Sequence, residues 1–110
     1  MATTLNAELV EFYSAITPNN NETFGYSLAN VKEFKMSHGI AWQGNIKLNG
    51  KKIGEVSCDG NGGCYRYFFK TQRDRRNFYS DVREAYAGRK MWDVEEDCFI
   101  NFLDYKMQVK

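Results

Sequence analysis

One histidine, one proline, three cysteines and a formal net charge of +1 are what this 110-residue chain has little of. With His38 alone, a Cys/His zinc site lacks ligands at workable spacing. No second member of a catalytic triad is recognisable around it, so His38 reads as a surface or turn residue. An odd cysteine count, no signal peptide and no apolar run of about 18 residues point to a reduced, cytoplasmic setting without a membrane span. Cys58 and Cys64 stand close enough to pair across the loop between them. Two half-buried thiols at strand ends are the expectation, since neither sits at a helix N-terminus or in a nucleophile motif. The near-zero net charge gives no bulk attraction for a polyanion. No repeat, linker or low-complexity tract divides the chain, so residues 1–110 read as a single domain. Catalysis has no support here, and the expectation is a non-enzyme with no metal and no cofactor.

Aromatic residues, in contrast, are plentiful. Seven Tyr, eight Phe and two Trp make 15% of the chain. Two accounts stand: some rings lie on a binding surface, or they fill a thin α+β core. Charge is unevenly spread. Lys70 to Lys90 holds Lys70, Arg73, Arg75, Arg76, Arg83, Arg89 and Lys90 against Asp74, Asp81 and Glu84, and Asp93 to Asp97 is acidic. These stretches meet within the fold or between copies in a homo-oligomer.

The pattern of apolar residues predicts the elements. Leu5, Leu9, Phe12, Tyr13 and Ile16 recur at helical spacing, with Thr3 or Thr4 as N-cap and Pro18 as the stop. A loop rich in Asn, Gly and Ser then runs to about Ala29. Val31–His38 is a first strand and Ile40–Leu48 a second, the latter alternating Ile40, Trp42, Ile46 and Leu48 with polar residues. Asn49-Gly50 is a type I′ hairpin signal, which pairs Leu48 with Lys51, Ile46 with Ile53 and Trp42 with Ser57. Ile53 and Val56 then fall on opposite faces, so Gly54 is a candidate bulge. Cys64–Lys70 follows as a further strand, with Tyr65, Tyr67 and Phe69 on one face and Arg66 and Phe68 on the other.

Thr71-Gln72-Arg73-Asp74 resembles a capping box and opens a helix striped by Phe78, Val82, Ala85 and Tyr86, with Gly88 at C′. Asp93-Val94-Glu95-Glu96 is a second capping-box match. It opens a helix to about Met107 with Val94, Cys98, Phe102 and Tyr105 on one face, although Cys98–Phe102 also suits a strand. The fold class is α+β: an antiparallel meander of three or four strands, with an N-terminal helix and two C-terminal helices on one face.

The glycine-rich loop Asp59-Gly60-Asn61-Gly62-Gly63 is the first candidate site. It is no P-loop, because no Gly-Lys-Ser/Thr follows, and no helix starts where a dinucleotide fingerprint needs one. Its N–H groups can form an anion-binding concavity, or the loop is a wide turn. The candidate ligand residues are Gly60, Asn61, Gly62 and Gly63 for backbone contacts, Tyr65 and Tyr67 for stacking, and Arg66, Arg75 and Arg76 for phosphate. They act together only if they converge beside the loop. The element order, with a basic helix start, is also reminiscent of double-stranded-RNA-binding domains, but Phe69-Lys70-Thr71-Gln72-Arg73 does not match that family's glycine-and-lysine run. Nucleic acid is the weaker partner on this reading.

Leu48-Asn49-Gly50-Lys51-Lys52-Ile53-Gly54-Glu55-Val56 followed by Asp59-Gly60-Asn61-Gly62-Gly63-Cys64-Tyr65-Arg66-Tyr67 resembles a pattern in small, mostly uncharacterised phage and prophage proteins. The resemblance covers about a third of the chain, between Phe34 and Tyr67. It implies a phage accessory protein acting in the host cytoplasm against host defence. One such class comprises sponge proteins that capture cyclic nucleotide or cyclic ADP-ribose signals between subunits. The other comprises anti-CRISPR proteins, which bind a host defence effector directly.

Overall fold

The computed structural model describes residues 14–37, 39–60, 65–91 and 93–108. A short N-terminal helix, α1, is described at residues 14–16. Four strands follow, β1 (Tyr26–Met36), β2 (Gly39–Leu48), β3 (Lys51–Cys58) and β4 (Arg66–Phe69), then helices α2 (Gln72–Ala85) and α3 (Glu95–Gln108). The strands form one antiparallel sheet in the order β1-β2-β3-β4. The expected helix positions Leu5, Leu9, Phe12 and Tyr13, the caps Thr3 and Thr4, and His38 lie outside the described residues.

Asn49 and Gly50 carry φ of 51° and 84°, the left-handed pair that a type I′ turn demands. Leu48 faces Lys51 as the turn requires, yet Ile46 faces Gly54 and Trp42 faces Cys58. The expected Ile46–Ile53 and Trp42–Ser57 pairings are therefore one residue out. A bulge at Ile53 takes up the extra residue, which turns Ile53 and Val56 to the same buried face. Gly54 is obligatory there for space, since a Cβ would stand 2.4 Å from the Phe68 carbonyl oxygen of β4.

β1 begins five residues earlier than Val31. Its opening Tyr26 and Leu28 are buried, and they pair with Leu48 and Ile46. The Asn- and Ser-rich composition that suggests a loop is accommodated by a second irregularity, between Ala29 and Lys32, where Asn30 takes φ 52°. The shift brings Val31 against the core in place of Asn30.

Thr71 caps α2 as its sequence indicates, its hydroxyl accepting from the Asp74 N–H at 3.0 Å. Phe78, Val82, Ala85 and Tyr86 are all buried. The C-cap is Tyr86, so Gly88, at φ 81°, sits one position beyond C′ in the closing turn. Cys98–Phe102 is helix, not strand. The second capping box does not form. Asp93 Oδ1 instead accepts from the adjacent Val94 N–H at 2.7 Å, and Val94, expected on the apolar face, is exposed.

The buried side chains make one cluster, with Phe78, Tyr86, Phe99 and Phe102 its largest fully buried members. Tyr26 and Phe99 meet Phe78 edge-on at 5.3 and 6.0 Å between centroids. The N-terminal segment is tied to the end of α2 by polar contacts. Tyr86 donates to the Ile16 carbonyl at 2.6 Å, and the Arg89 guanidinium donates to the carbonyls of Ala15 and Thr17. These bonds satisfy acceptors that a helix C-terminus leaves open. Among the described residues no helix is long and apolar enough to cross a membrane.

Candidate functional site

Alternation along residues 65–69 separates the predicted ligand residues. Tyr65 and Tyr67 turn toward α3. Tyr67 donates its hydroxyl to Asp97 Oδ1 at 2.6 Å, and the Tyr65 N–H donates to Oδ2 of the same carboxylate at 3.1 Å. The Tyr65 hydroxyl donates to Asn101 Oδ1 at 2.7 Å. Asp97 is only 3% exposed, so its charge is held by donors from the sheet, as a buried carboxylate requires. Burial, and then the bond to Asp97, push the Tyr67 hydroxyl far above its ordinary pKa. Burial likewise takes Tyr65 up to about 12, with the bond to Asn101 opposing it. Both rings are structural pillars between β4 and α3. Stacking a ligand on them would require parting those elements.

Arg66 points to the opposite face, exposed, with Asp59 at 3.4 Å. Gly60 takes φ 85° and lies flat on β2, where a Cβ would stand 3.1–3.2 Å from backbone atoms of Ile40 and Ala41. Its lack of a side chain lets the backbone at this residue approach the sheet closely. Asn61, Gly62, Gly63 and Cys64 lie outside the described residues. Cys58 is a partly buried free thiol. The tyrosines, Arg66 and the α2 arginines thus occupy three different places.

Arg75 and Arg76 do share a site. With Tyr79, Ser80 and Arg83 they line a cleft of about 450 Å³ on the outer side of α2. Arg75, Tyr79 and Arg83 are spaced four apart and fall on one helical stripe that flanks the Phe78/Val82 core stripe. The Arg75 guanidinium lies over the Tyr79 ring at 5.3 Å. That ring packs edge-on against Tyr67 and Phe69, each 6.2 Å away, so the cleft floor is anchored to the core. Burial raises the Tyr79 pKa, the negative field of Glu96 adds to it, and Arg75 opposes both. Glu96 is itself raised by burial, with Arg83 among the groups pulling it down. The basic and acidic stretches do sense each other within one chain, through the Arg83–Glu96 field.

The four-residue repeat of Arg75, Tyr79 and Arg83 was the signal available for this stripe, hidden within a run of arginines that reads as a solvated face. Asp97 gave no such signal. An acidic residue in a helix's first turn is explained by the macrodipole, and only the tertiary fold reveals its tyrosine donors.

Fold and site together define a small α+β protein in which Arg75, Arg76 and Arg83 share one cleft on α2. In comparisons with known proteins, no family model, no curated protein and no solved structure matches this chain.

Proposed function

We propose that this chain is a non-catalytic binding protein that captures a nucleotide-like anion in the α2 cleft, in the phage anti-defence setting that the Leu48–Tyr67 resemblance implies. The observation that carries the reading is the lining of that cleft: three arginines, a serine hydroxyl and a tyrosine ring, with no carboxylate among the described residues that line it. Guanidinium groups make charge-assisted, bidentate bonds to phosphate, and a ring beside them offers a face for a base. The cleft volume lies within the range of small-ligand sites. On this reading the phosphate contacts are Arg75, Arg76 and Arg83. Tyr79 replaces Tyr65 and Tyr67 as the stacking ring, and Arg66 takes no part.

Calorimetry with cyclic nucleotides and cyclic ADP-ribose isomers tests it. The expected result is saturable binding that weakens at least about tenfold when Arg75 and Arg76 are both changed to Ala, each tenfold being about 1.4 kcal/mol. Indifference to every ligand in the panel, with a stoichiometric complex recovered from host lysate, would instead establish direct inhibition of a defence effector. Binding to RNA or DNA that collapses steeply with salt would establish a nucleic-acid binder.

A further inference from the structure

The sheet ends in two edge strands, β1 of 11 residues and β4 of 4. An edge strand presents unpaired N–H and C=O groups along its outer side, so β1 offers the longer ladder to a further strand. Past its irregularity, residues 32–36 of β1 pair one for one with residues 43–39 of β2, which makes this end of the edge regular. Among the described residues no backbone bond from outside the sheet reaches it, and neither Glu33 nor Lys35 forms an ion pair.

The hairpin turn decides which backbone groups point outward. Leu48 and Lys51 close a two-residue loop and so exchange backbone bonds, which directs the polar groups of Leu48 toward β3. Alternation along β2 then directs those of Trp42 and Ile40 toward β3, and those of Ala41 and Gln43 toward β1. The Asn49 N–H, which donates to the Gly25 carbonyl at 2.8 Å, has the same sense. On β1, Phe34 lies opposite Ala41 and bonds to β2. Glu33 and Lys35 lie opposite Trp42 and Ile40, so their N–H and C=O groups point away from the sheet.

We propose that two copies of this chain pair antiparallel through β1, about a two-fold axis at Phe34, and join their sheets into one. A two-fold pairing along this edge can be centred on Glu33, Phe34 or Lys35. Centring on Glu33 or Lys35 sets like charges directly opposite each other, which is destabilising. Centring on Phe34 sets Glu33 of each copy across from Lys35 of the other, and these are the residues whose backbone groups point outward. The two Phe34 rings then meet at the closer, non-hydrogen-bonded position. Phe34 is 46% exposed in the single chain, on the opposite face of the sheet from Trp42, so the contact also covers apolar surface. Because each β1 edge is used once, the assembly closes at two copies.

Sedimentation equilibrium of the full chain tests the pairing. At about 100 µM the unmodified chain should be a dimer. Glu33→Lys and Lys35→Glu should each weaken dimerisation at least about tenfold, since either one sets like charges opposite each other at both ends of the contact. An equimolar mixture of the two variants should recover the dimer, because every facing pair is then of opposite charge. Both positions are exposed, and circular dichroism establishes that each variant is folded. A monomeric unmodified chain, a dimer that neither substitution weakens, or a mixture that stays monomeric would each overturn the proposal.

Discussion

Along residues 65–69 and again along α2, neighbouring side chains have opposite fates. Tyr65, Tyr67 and Phe69 face the helices, where the two tyrosine hydroxyls and one N–H are bonded to Asp97 and Asn101. Arg66 and Phe68, one residue away, are exposed. On α2 the stripe Phe78, Val82 and Ala85 is buried, while Arg75, Arg76 and Arg83 lie outside. The strand's outer face carries the exposed Arg66–Asp59 ion pair. The helix's outer face forms a cleft floored by a tyrosine that the core holds in place. An aromatic or basic residue therefore signifies a site only when its face also provides a supported concavity. Most of the aromatic excess is core: rings run in contact from Tyr26 through Phe78 to Phe99 and Phe102, with Tyr67, Phe69 and Tyr79 alongside.

That contrast can be broken by mutation, starting from the inside. Phe78→Ala removes a fully buried ring in contact with Tyr26, Tyr67, Phe69, Tyr79 and Phe99. It should cost about 3–5 kcal/mol, read from the urea midpoint. Asp97→Ala strips the acceptor from the Tyr67 hydroxyl and the Tyr65 N–H and should cost about 2–4 kcal/mol, whereas Tyr67→Phe should lose about 1.5–3 kcal/mol. If Asp97→Ala proves neutral, the sheet-to-α3 clamp carries no weight.

Alkaline pH probes the same interior without mutation. Burial pushes the hydroxyls of Tyr26, Tyr67 and Tyr86 above their ordinary value of 10.0, takes Tyr65 to about 12, and takes the Cys98 thiol from 9.0 to about 11. These groups are acids whose neutral form the fold prefers. Above about pH 9 the unfolded chain releases protons that the folded chain retains, so stability is complete below that pH and declines through pH 9–12. Urea midpoints should fall between about pH 8 and about pH 10.5, and a flat profile would contradict the burial of these groups. On the outer face the effects shrink. Arg66→Ala and Phe68→Ser should each change stability by no more than about 0.5 kcal/mol, because an exposed ion pair and an exposed ring contribute little.

Much of this fold was legible where a local rule dominates. The Asn49-Gly50 turn, the Thr71 cap and the α2 stripe each depend on residues close in sequence, and each forms as the sequence indicates. Misreadings arose where a distant partner decides. Tyr26 and Leu28 sit in a loop-like composition and become strand because β2 pairs with them. The Ile53 bulge moves the β2–β3 register by one residue, which no alternation pattern fixes. For the site, the arginines were visible as a basic run, but the inward direction of Tyr65 and Tyr67 depended on α3 supplying Asp97 and Asn101. Arg89, one of the same basic run, is consumed in holding the carbonyls of residues 15 and 17.

Ligand capture on α2, with Tyr65 and Tyr67 bonded to α3 and structural, is the central proposal. Its most direct test is a calorimetric comparison of the best-binding cyclic nucleotide or cyclic ADP-ribose isomer against three chains: unmodified, Arg66→Ala, and Arg75→Ala with Arg76→Ala. The prediction is unchanged affinity in the first variant and a loss of at least about tenfold in the second. Loss of affinity on Arg66→Ala with none on the α2 pair would return the site to the glycine loop and contradict the account.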